Sequence, residues 1–220
     1  MTVLALDIET LPLAQSLAIP YPEADRTPPS NYGVEAAEKW RVKDRAAWEV
    51  DRLKQYALSP LYGRVCAVGM AWHDAEGELA TEFLVAQTED AEPTLLREFW
   101  EMASAADLLA TWNGHSFDIP FLLLRSLIHD VAVPFDGRDL TRRYSQHTHY
   151  DVKQVVTGWD TRGKGSLDDY LTAFGMPTKT AHGSEVYGMA QRGEWDAIGQ
   201  YAAADAAATL ALYEKVSRVF

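Results

Sequence analysis

The chain has 220 residues, 47% of them apolar and 11% aromatic, with a formal net charge of −12 and a single cysteine, Cys66. This is ordinary globular composition, and the length suits one α/β domain with a sizeable core. The charge argues against a protein that coats nucleic acid, which would be basic, and one cysteine allows neither a disulfide framework nor a cysteine-built zinc site.

A reducing, cytoplasmic setting is therefore expected. Two bound divalent ions would bring the charge to roughly −8, so an enzyme working through metal ions and a local basic patch stays compatible with it. No basic segment followed by an apolar run marks a signal peptide at the start. The most apolar stretch, IPFLLLRSLI, contains Arg125 and is too short to span a membrane.

In chain order, residues 2–8 read as a buried strand, and residues 20–32, with four prolines, as a loop. Residues 34–57 hold neither Gly nor Pro and read as a helix or helix pair, a helical insertion at about 33–57. Residues 63–74 and 77–85 are strand-like, and DAEG between them signals a hairpin. A helix is expected over about 92–105, then a short strand at 107–112. Another helix begins within FDIPFLLLRSLIHD, where Pro120 can occupy the first turn. A short strand is expected near 131–133. Residues 138–156 are helical in part and locally basic. SLDDYLTAFG places Ser166 at an N-cap, Asp169 three residues on and Gly175 as the stop. The last helix spans about 194–216. Three strands in succession, then strands alternating with helices, predict a mixed sheet covered by helices in one domain, residues 1–220.

Four carboxylates sit where a structural residue would be apolar or would need a partner. In the stretch LALDIET, Asp7 and Glu9 share one face of a strand, opposite Leu4, Leu6 and Ile8. Two like charges that close repel unless something positive lies between them, and a divalent metal would serve. The plainer alternative is an edge strand with a solvated acidic face. On the last helix, Trp195, Ile198, Ala202, Thr209 and Val216 form the buried stripe, and Asp205 falls inside it. Tyr201 lies one turn earlier on the same face. A buried carboxylate costs several kcal/mol unless paired or metal-bound, so Asp205 is either a ligand or a local cap or ion pair. In WNGHSFD, Asn113-Gly114 signals a turn and Asp118 opens the following helix, where the helix dipole alone would favour it.

Taken together, these residues resemble the DEDD superfamily of 3′–5′ exonucleases. Its D-x-E motif matches Asp7, Ile8 and Glu9, N-x-x-x-F-D matches Asn113, Phe117 and Asp118, and Y-x-x-x-D matches Tyr201 and Asp205. The histidine subgroup would carry His at position 200, which is Gln200 here, so the chain resembles the tyrosine subgroup. It is similar in particular to the predicted exonucleases related to the exonuclease domain of family-B DNA polymerases, through Asn113, Gly114, Phe117, Asp118, Pro120 and Arg125, through SLDDYLTAFGMP, and through the text from Gly183 to Tyr213.

The resemblance implies a ribonuclease H-like α/β fold, with a central mixed five-stranded sheet whose second strand is antiparallel. It implies a metal-dependent 3′–5′ exonuclease that releases nucleoside monophosphates by a two-metal-ion mechanism, with Mg²⁺ or Mn²⁺ as the ions. By resemblance, Asp7 bridges both ions, Glu9 and Asp205 serve the ion that carries the nucleophilic water, Asp118 serves the other, and Tyr201 orients the water. Ile8, Thr10, Leu11, Asn113 and Phe117 would hold the terminal nucleotide, with Leu11 or Phe117 against its base or sugar. The implied partner is a single-stranded nucleic acid with a free 3′ end. DNA comes first and RNA is the alternative, and any proofreading role would need a separate polymerase. Two rivals predict no nuclease activity. One is an inactive exonuclease fold that binds or scaffolds nucleic acid, and the other is an acidic Ca²⁺-binding protein that would not depend on Tyr201.

Other features have a functional and a structural reading. His147 and His149 could share a strand face as metal ligands or sit in a solvated loop. Asp151 reads as a fifth carboxylate with a structural or supporting role. Arg138, Arg142, Arg143 and Lys153 form a local basic patch that could contact phosphates. Lys164, Lys179 and His182 flank glycine-containing loops near the third motif and could touch the backbone of a strand. Trp40 and Trp48 are expected to pack in the core.

Overall fold

The computed structural model describes residues 1–160, 163–178 and 185–220. Lys179 and His182 lie outside the described residues.

In chain order the elements are β1 (Val3–Pro12), α1 (Ala14–Leu17), α2 (Val34–Ala57), β2 (Gly63–His73), β3 (Leu79–Val85), α3 (Glu92–Ala103), β4 (Leu108–Thr111), α4 (Asp118–Ile128), α5 (Gly137–Thr141), β5 (His149–Asp151), α6 (Val152–Val156), α7 (Leu167–Ala173), α8 (Val186–Gln191) and α9 (Trp195–Val216). The sheet order is β3-β2-β1-β4-β5. β1 pairs antiparallel with β2, and β2 with β3, whereas β4 runs parallel to β1 and β5 parallel to β4. This is the expected ribonuclease H-like mixed sheet, with its second strand antiparallel.

The period-2 pattern of β1 divides the core between the two faces of the sheet. Leu4, Leu6 and Ile8 pack with Leu96, Phe99 and Trp100 of α3 and with Ile119, Phe121 and Leu122 of α4. Ala5 faces the other way, toward Val152 and Val155 of α6, Leu171 of α7, and Ala206 and Leu210 of α9. Burial of each large side chain here contributes about 1.5–3 kcal/mol. Local signals act where expected. Gly77 takes a left-handed backbone (φ 83°) in the β2–β3 hairpin, and Asp74 Oδ1 accepts the N–H groups of Glu76 and Glu78. Ser166 and Asp169 cap α7 reciprocally, and Gly175 (φ 67°) ends that segment.

Arg125, unexpected in an apolar stretch, is held by a buried pair. Its Nε and Nη2 donate to Glu92 at 2.9 and 2.6 Å, and Glu92 Oε1 also accepts the Val65 N–H at 2.8 Å. The ion pair thereby ties α3 and α4 to the start of β2. No helix among the described residues is long and apolar enough to cross a membrane.

Three expectations change. No strand forms at 131–133; Val131 is buried against the α3–α4 side, and β5 takes the edge of β4 instead. A three-residue strand is decided by which segment a free edge can accept, and β5 can bury His149 because Thr111 and Leu140 supply its hydrogen bonds. β1 runs on past residue 8 to Pro12, where a residue without an N–H suits a strand end. Trp40 and Trp48 are half-buried and not part of the core, because no residue of α2 is fully buried. Trp48 packs edge-on to Tyr21 at 5.4 Å beneath the Arg52 guanidinium.

Candidate active site

The site forms where β1, the β4–α4 turn and α9 meet. Asp7 and Glu9 project from the α9 side of β1, the face that Ala5 shares. Asp205 comes down from α9 and is 5% exposed. One carboxylate oxygen from each of Asp7, Glu9 and Asp205 lies within 4.8 Å of the others. At such separations each pair of charges repels by about 3 kcal/mol at an effective dielectric of 20. Three hard oxygen donors converging on one point form a donor set that suits Mg²⁺ or Mn²⁺.

Two backbone features build this convergence. The β1–β2 register pairs Glu9 with Ala67 but Thr10 with Val65, so a bulge at Cys66 lies beside the second carboxylate. Bulges re-aim side chains and recur next to active sites. Asp7 pairs with Gly69, and a Cβ on Gly69 would lie 2.0 Å from the Ala202 carbonyl carbon and 2.2 Å from the Ala203 nitrogen. A Cβ on Gly199 would likewise lie 2.1 Å from the Phe83 ring. The two glycines let α9 lie against β2 and β3 with Asp205 at the level of Asp7. Sequence reasoning missed both. The available signal for Gly69 was an isolated Gly inside an apolar strand, which marks close backbone approach.

Asp118 opens α4, is 3% exposed, and stands outside the group of three. Its Oδ1 accepts the Ile8 N–H at 3.2 Å, which fixes the turn to β1 between the two strand carboxylates. Burial pushes the Asp118 carboxyl up to about 7. The N–H groups of Asp118 and Ile8 oppose that shift, and the charges of Asp151 and Asp205 reinforce it. Tyr201 is half-buried on α9, one turn before Asp205. Of the residues expected at the terminal nucleotide, Ile8, Thr10 and Leu11 are buried in β1, and Leu11 packs with Val186 and Ile198. Phe117 is half-buried, edge-on to Phe121 at 5.6 Å. Asn113 is half-buried in a left-handed conformation (φ 68°), as the Asn-Gly turn requires.

Asp151 holds this turn. Its Oδ1 accepts the N–H groups of Asn113 (3.0 Å) and Gln154 (3.1 Å), and its Oδ2 accepts that of His115 (2.9 Å). Burial works to raise its carboxyl, but the hydrogen bonds from His115 and Gln154 and the neighbouring His149 outweigh it and hold the group below the usual carboxylate range. Asp151→Asn leaves one oxygen for three donors and should cost about 1–2 kcal/mol in urea unfolding at neutral pH. A carboxyl depressed in the fold stabilises above its unfolded pKa. The difference should therefore be full above about pH 4 and shrink as the pH falls below it.

Of the two histidines that could be metal ligands or solvated loop residues, His147 is exposed and His149 is 1% exposed, so they form no shared site. His149 Nδ1 donates to the Leu140 carbonyl, its Nε2 accepts from Thr111 Oγ1, and burial together with His115 lowers its pKa to about 4. It is a neutral core residue. In the basic patch, Arg138 is held by Asp136 at 2.7 Å, whereas Arg143 and Lys153 line a cavity beside Asn113. Lys164 is exposed.

Among solved structures, the fold is similar to the family B DNA polymerase from the hyperthermophilic archaeon Pyrobaculum calidifontis, with a TM-score of 0.63 and 18% identity. The likeness covers 99% of this chain and 24% of that one, so this chain spans about a quarter of the polymerase. At that identity the likeness speaks for the fold alone. No curated protein matches the sequence. Residues 55–219 match the model of a family described as predicted 3′–5′ exonucleases related to the exonuclease domain of PolB. The strand that carries Asp7 and Glu9 precedes the matched residues, and the fold brings it to Asp205. With more than half of its length matched, the chain belongs to this family of predicted 3′–5′ exonucleases.

Proposed function

We propose that the protein hydrolyses single-stranded DNA from its 3′ end and releases nucleoside monophosphates. The convergence of Asp7, Glu9 and Asp205, one oxygen of each within 4.8 Å of the others, carries this reading. Asp7, Glu9 and Asp205 would hold divalent metal, and Asp118, turned toward Ile8, would serve a second ion. Bound ions of this kind activate a water and stabilise the leaving oxygen of an in-line displacement.

The chain's own groups do the rest. Tyr201 offers a hydroxyl to orient the attacking water. A phenol hydroxyl both donates and accepts hydrogen bonds, which suits the orienting of a water. The backbone of Ile8, Thr10 and Leu11 faces the terminal nucleotide from β1, and Asn113 and Phe117 hold it from the turn. The Ile8 N–H bond to Asp118 couples these two walls, so the nucleotide and the carboxylates share one frame.

The test is degradation of a 5′-labelled single-stranded DNA beside a matched RNA, each with Mg²⁺, Mn²⁺ or EDTA. A ladder that shortens from the 3′ end, faster on DNA and silenced by EDTA, is expected. Tyr201→Phe should slow it while the metal-induced rise in melting temperature stays intact. Well-folded protein with metal that cleaves neither strand would overturn the reading.

A further inference from the structure

The bulge at Cys66 lies across from the Glu9–Thr10 step of β1. An extra residue in a strand leaves backbone groups that the ladder does not pair. Here the connection from β3 to α3 supplies partners. The Ala86 N–H donates to the Cys66 carbonyl at 2.9 Å. The buried Arg64 donates through Nη1 to the Ala86 carbonyl at 2.7 Å and through Nη2 to that of Gln87 at 3.3 Å. β3 pairs with β2 from His73 back to Ala67. At Val65 a carboxylate stands where a strand would, with Glu92 Oε1 accepting the Val65 N–H at 2.8 Å.

Glu92 is 0% exposed, the most buried acid among the described residues. Arg125 meets both of its oxygens, and Oε2 also lies 2.8 Å from His129 Nε2. Burying two ions is expensive, and an apolar pair of similar volume often stabilises a fold as well or better. No apolar side chain could take the Val65 N–H, however, and a buried N–H has to be paired. The ion pair thus fixes a backbone position that packing alone would leave open.

That position bears on the carboxylates. Asp118 and Arg125 are seven residues apart on α4, two turns along one face. Asp118 Oδ1 holds the Ile8 N–H. Arg125, through Glu92, holds Val65, which pairs with Thr10. Glu9 is the residue between Ile8 and Thr10, so one helix secures the strand on both sides of it. In a regular strand the Cα atoms of i and i+2 stand about 7 Å apart. The oxygens of Asp7 and Glu9 come within 4.8 Å, and a bulge adds the local twist that lets one side chain lean toward the other.

We propose that Glu92 is a positioning residue for the metal carboxylates. Its bond to the Val65 N–H sets the bulge that aims Glu9, and Arg125 keeps that bulge in register with Asp118. The proposal rests on the exonuclease reading for its effect on turnover, and on the three-carboxylate group for its effect on metal.

Two double variants separate the bond from the charges. Glu92→Met with Arg125→Met replaces the ion pair by apolar side chains and offers Val65 no acceptor. Glu92→Gln with Arg125→Met removes the same charges, but its amide oxygen still accepts the Val65 N–H and its NH₂ can donate to His129 Nε2. Both are compared with the native protein by Mn²⁺ titration and by degradation of a thymidine hexanucleotide, with urea unfolding to fix the folded fraction. The methionine pair should bind Mn²⁺ about 10–100-fold more weakly and lose kcat by a similar factor at unchanged KM. The glutamine pair should stay close to native in both. Folded variants that both bind Mn²⁺ as the native protein does, or that both lose it equally, would overturn the role of the bond. Should the methionine pair not fold, the glutamine pair decides: native affinity supports the bond, and weakened affinity in a folded protein overturns it. Native protein that takes up no Mn²⁺ would overturn the site and its positioning together. Native protein that binds Mn²⁺ but degrades nothing loses the exonuclease reading, and the contrast in Mn²⁺ affinity between the variants still upholds or overturns the positioning.

Discussion

Asp7→Asn should lower turnover by roughly 10³-fold or more, the scale of loss when one member of a catalytic unit is removed. It should also make the metal-free protein more stable. The two effects have opposite signs because they report on different states. Without metal, the Asp7 carboxylate repels Glu9 and Asp205, whose oxygens lie within 4.8 Å. Removing its charge relieves two repulsions and should stabilise the protein by about 1 kcal/mol or more, after screening through the partly exposed side of the site. With metal the order reverses. An ion that binds only the folded native protein stabilises it by about 2.7 kcal/mol at a hundred times its dissociation constant, and the variant should lose that gain. Thermal melts of both proteins in EDTA and in Mg²⁺, run beside the degradation assay, read the whole pattern. A native melt unmoved by Mg²⁺ and Mn²⁺, or a variant with native turnover, would sink the metal-site assignment. An asparagine variant less stable in EDTA would show that Asp7 works in the fold through its other contacts more than as a like charge.

The site was legible in the sequence where a single periodicity decides geometry. A strand puts residues i and i+2 on one face, so Asp7 and Glu9 had to lie together; a helix puts i and i+4 on one face, so Tyr201 and Asp205 did as well. The place of Asp118 at the start of α4 followed from the Asn113-Gly114 turn signal, and the β2–β3 hairpin from apolar runs divided by DAEG, whereas the antiparallel pairing of β1 with β2 was implied by the family resemblance. What escaped depends on contacts distant in sequence. The bulge beside Glu9 is a register event between two strands. Arg125 is buried because Glu92 meets it from another helix. The fifth strand formed at His149–Asp151 because β4 had a free edge and Thr111 could satisfy His149, neither of which the apolar segment Val131–Val133 can reveal. Asp151 was legible as a fifth carboxylate with a structural or supporting role, but not where it acts. Only its three backbone donors show that it shapes the turn.

Gly69 is the case with the largest consequence. It has no side chain, so no chemistry points to it, yet it sits directly across from Asp7 and beneath the backbone of Ala202. Gly69→Ala should cost about 1–3 kcal/mol as an overpacked contact, because a methyl at 2.0 Å from main-chain atoms has no flexible neighbour to displace. The strain can be relieved only by lifting α9 from the sheet. That moves Asp205 and Tyr201 together, away from Asp7 and Glu9. A displacement of about 1 Å in a positioned site lowers turnover roughly 10²-fold, so activity and metal affinity should fall together although no ligand or substrate contact has been removed. Gly137→Ala is the control, since its Cβ would meet only Leu123 methyl groups at 3.7 and 3.8 Å, an ordinary contact. It should leave melting, metal binding and turnover unchanged. Urea unfolding in EDTA, a Mn²⁺ titration and the degradation assay on both variants decide the matter. A Gly69→Ala protein with full metal affinity and full turnover would mean that α9 does not set the site. A loss of stability alone, with turnover per folded molecule intact, would confine Gly69 to packing.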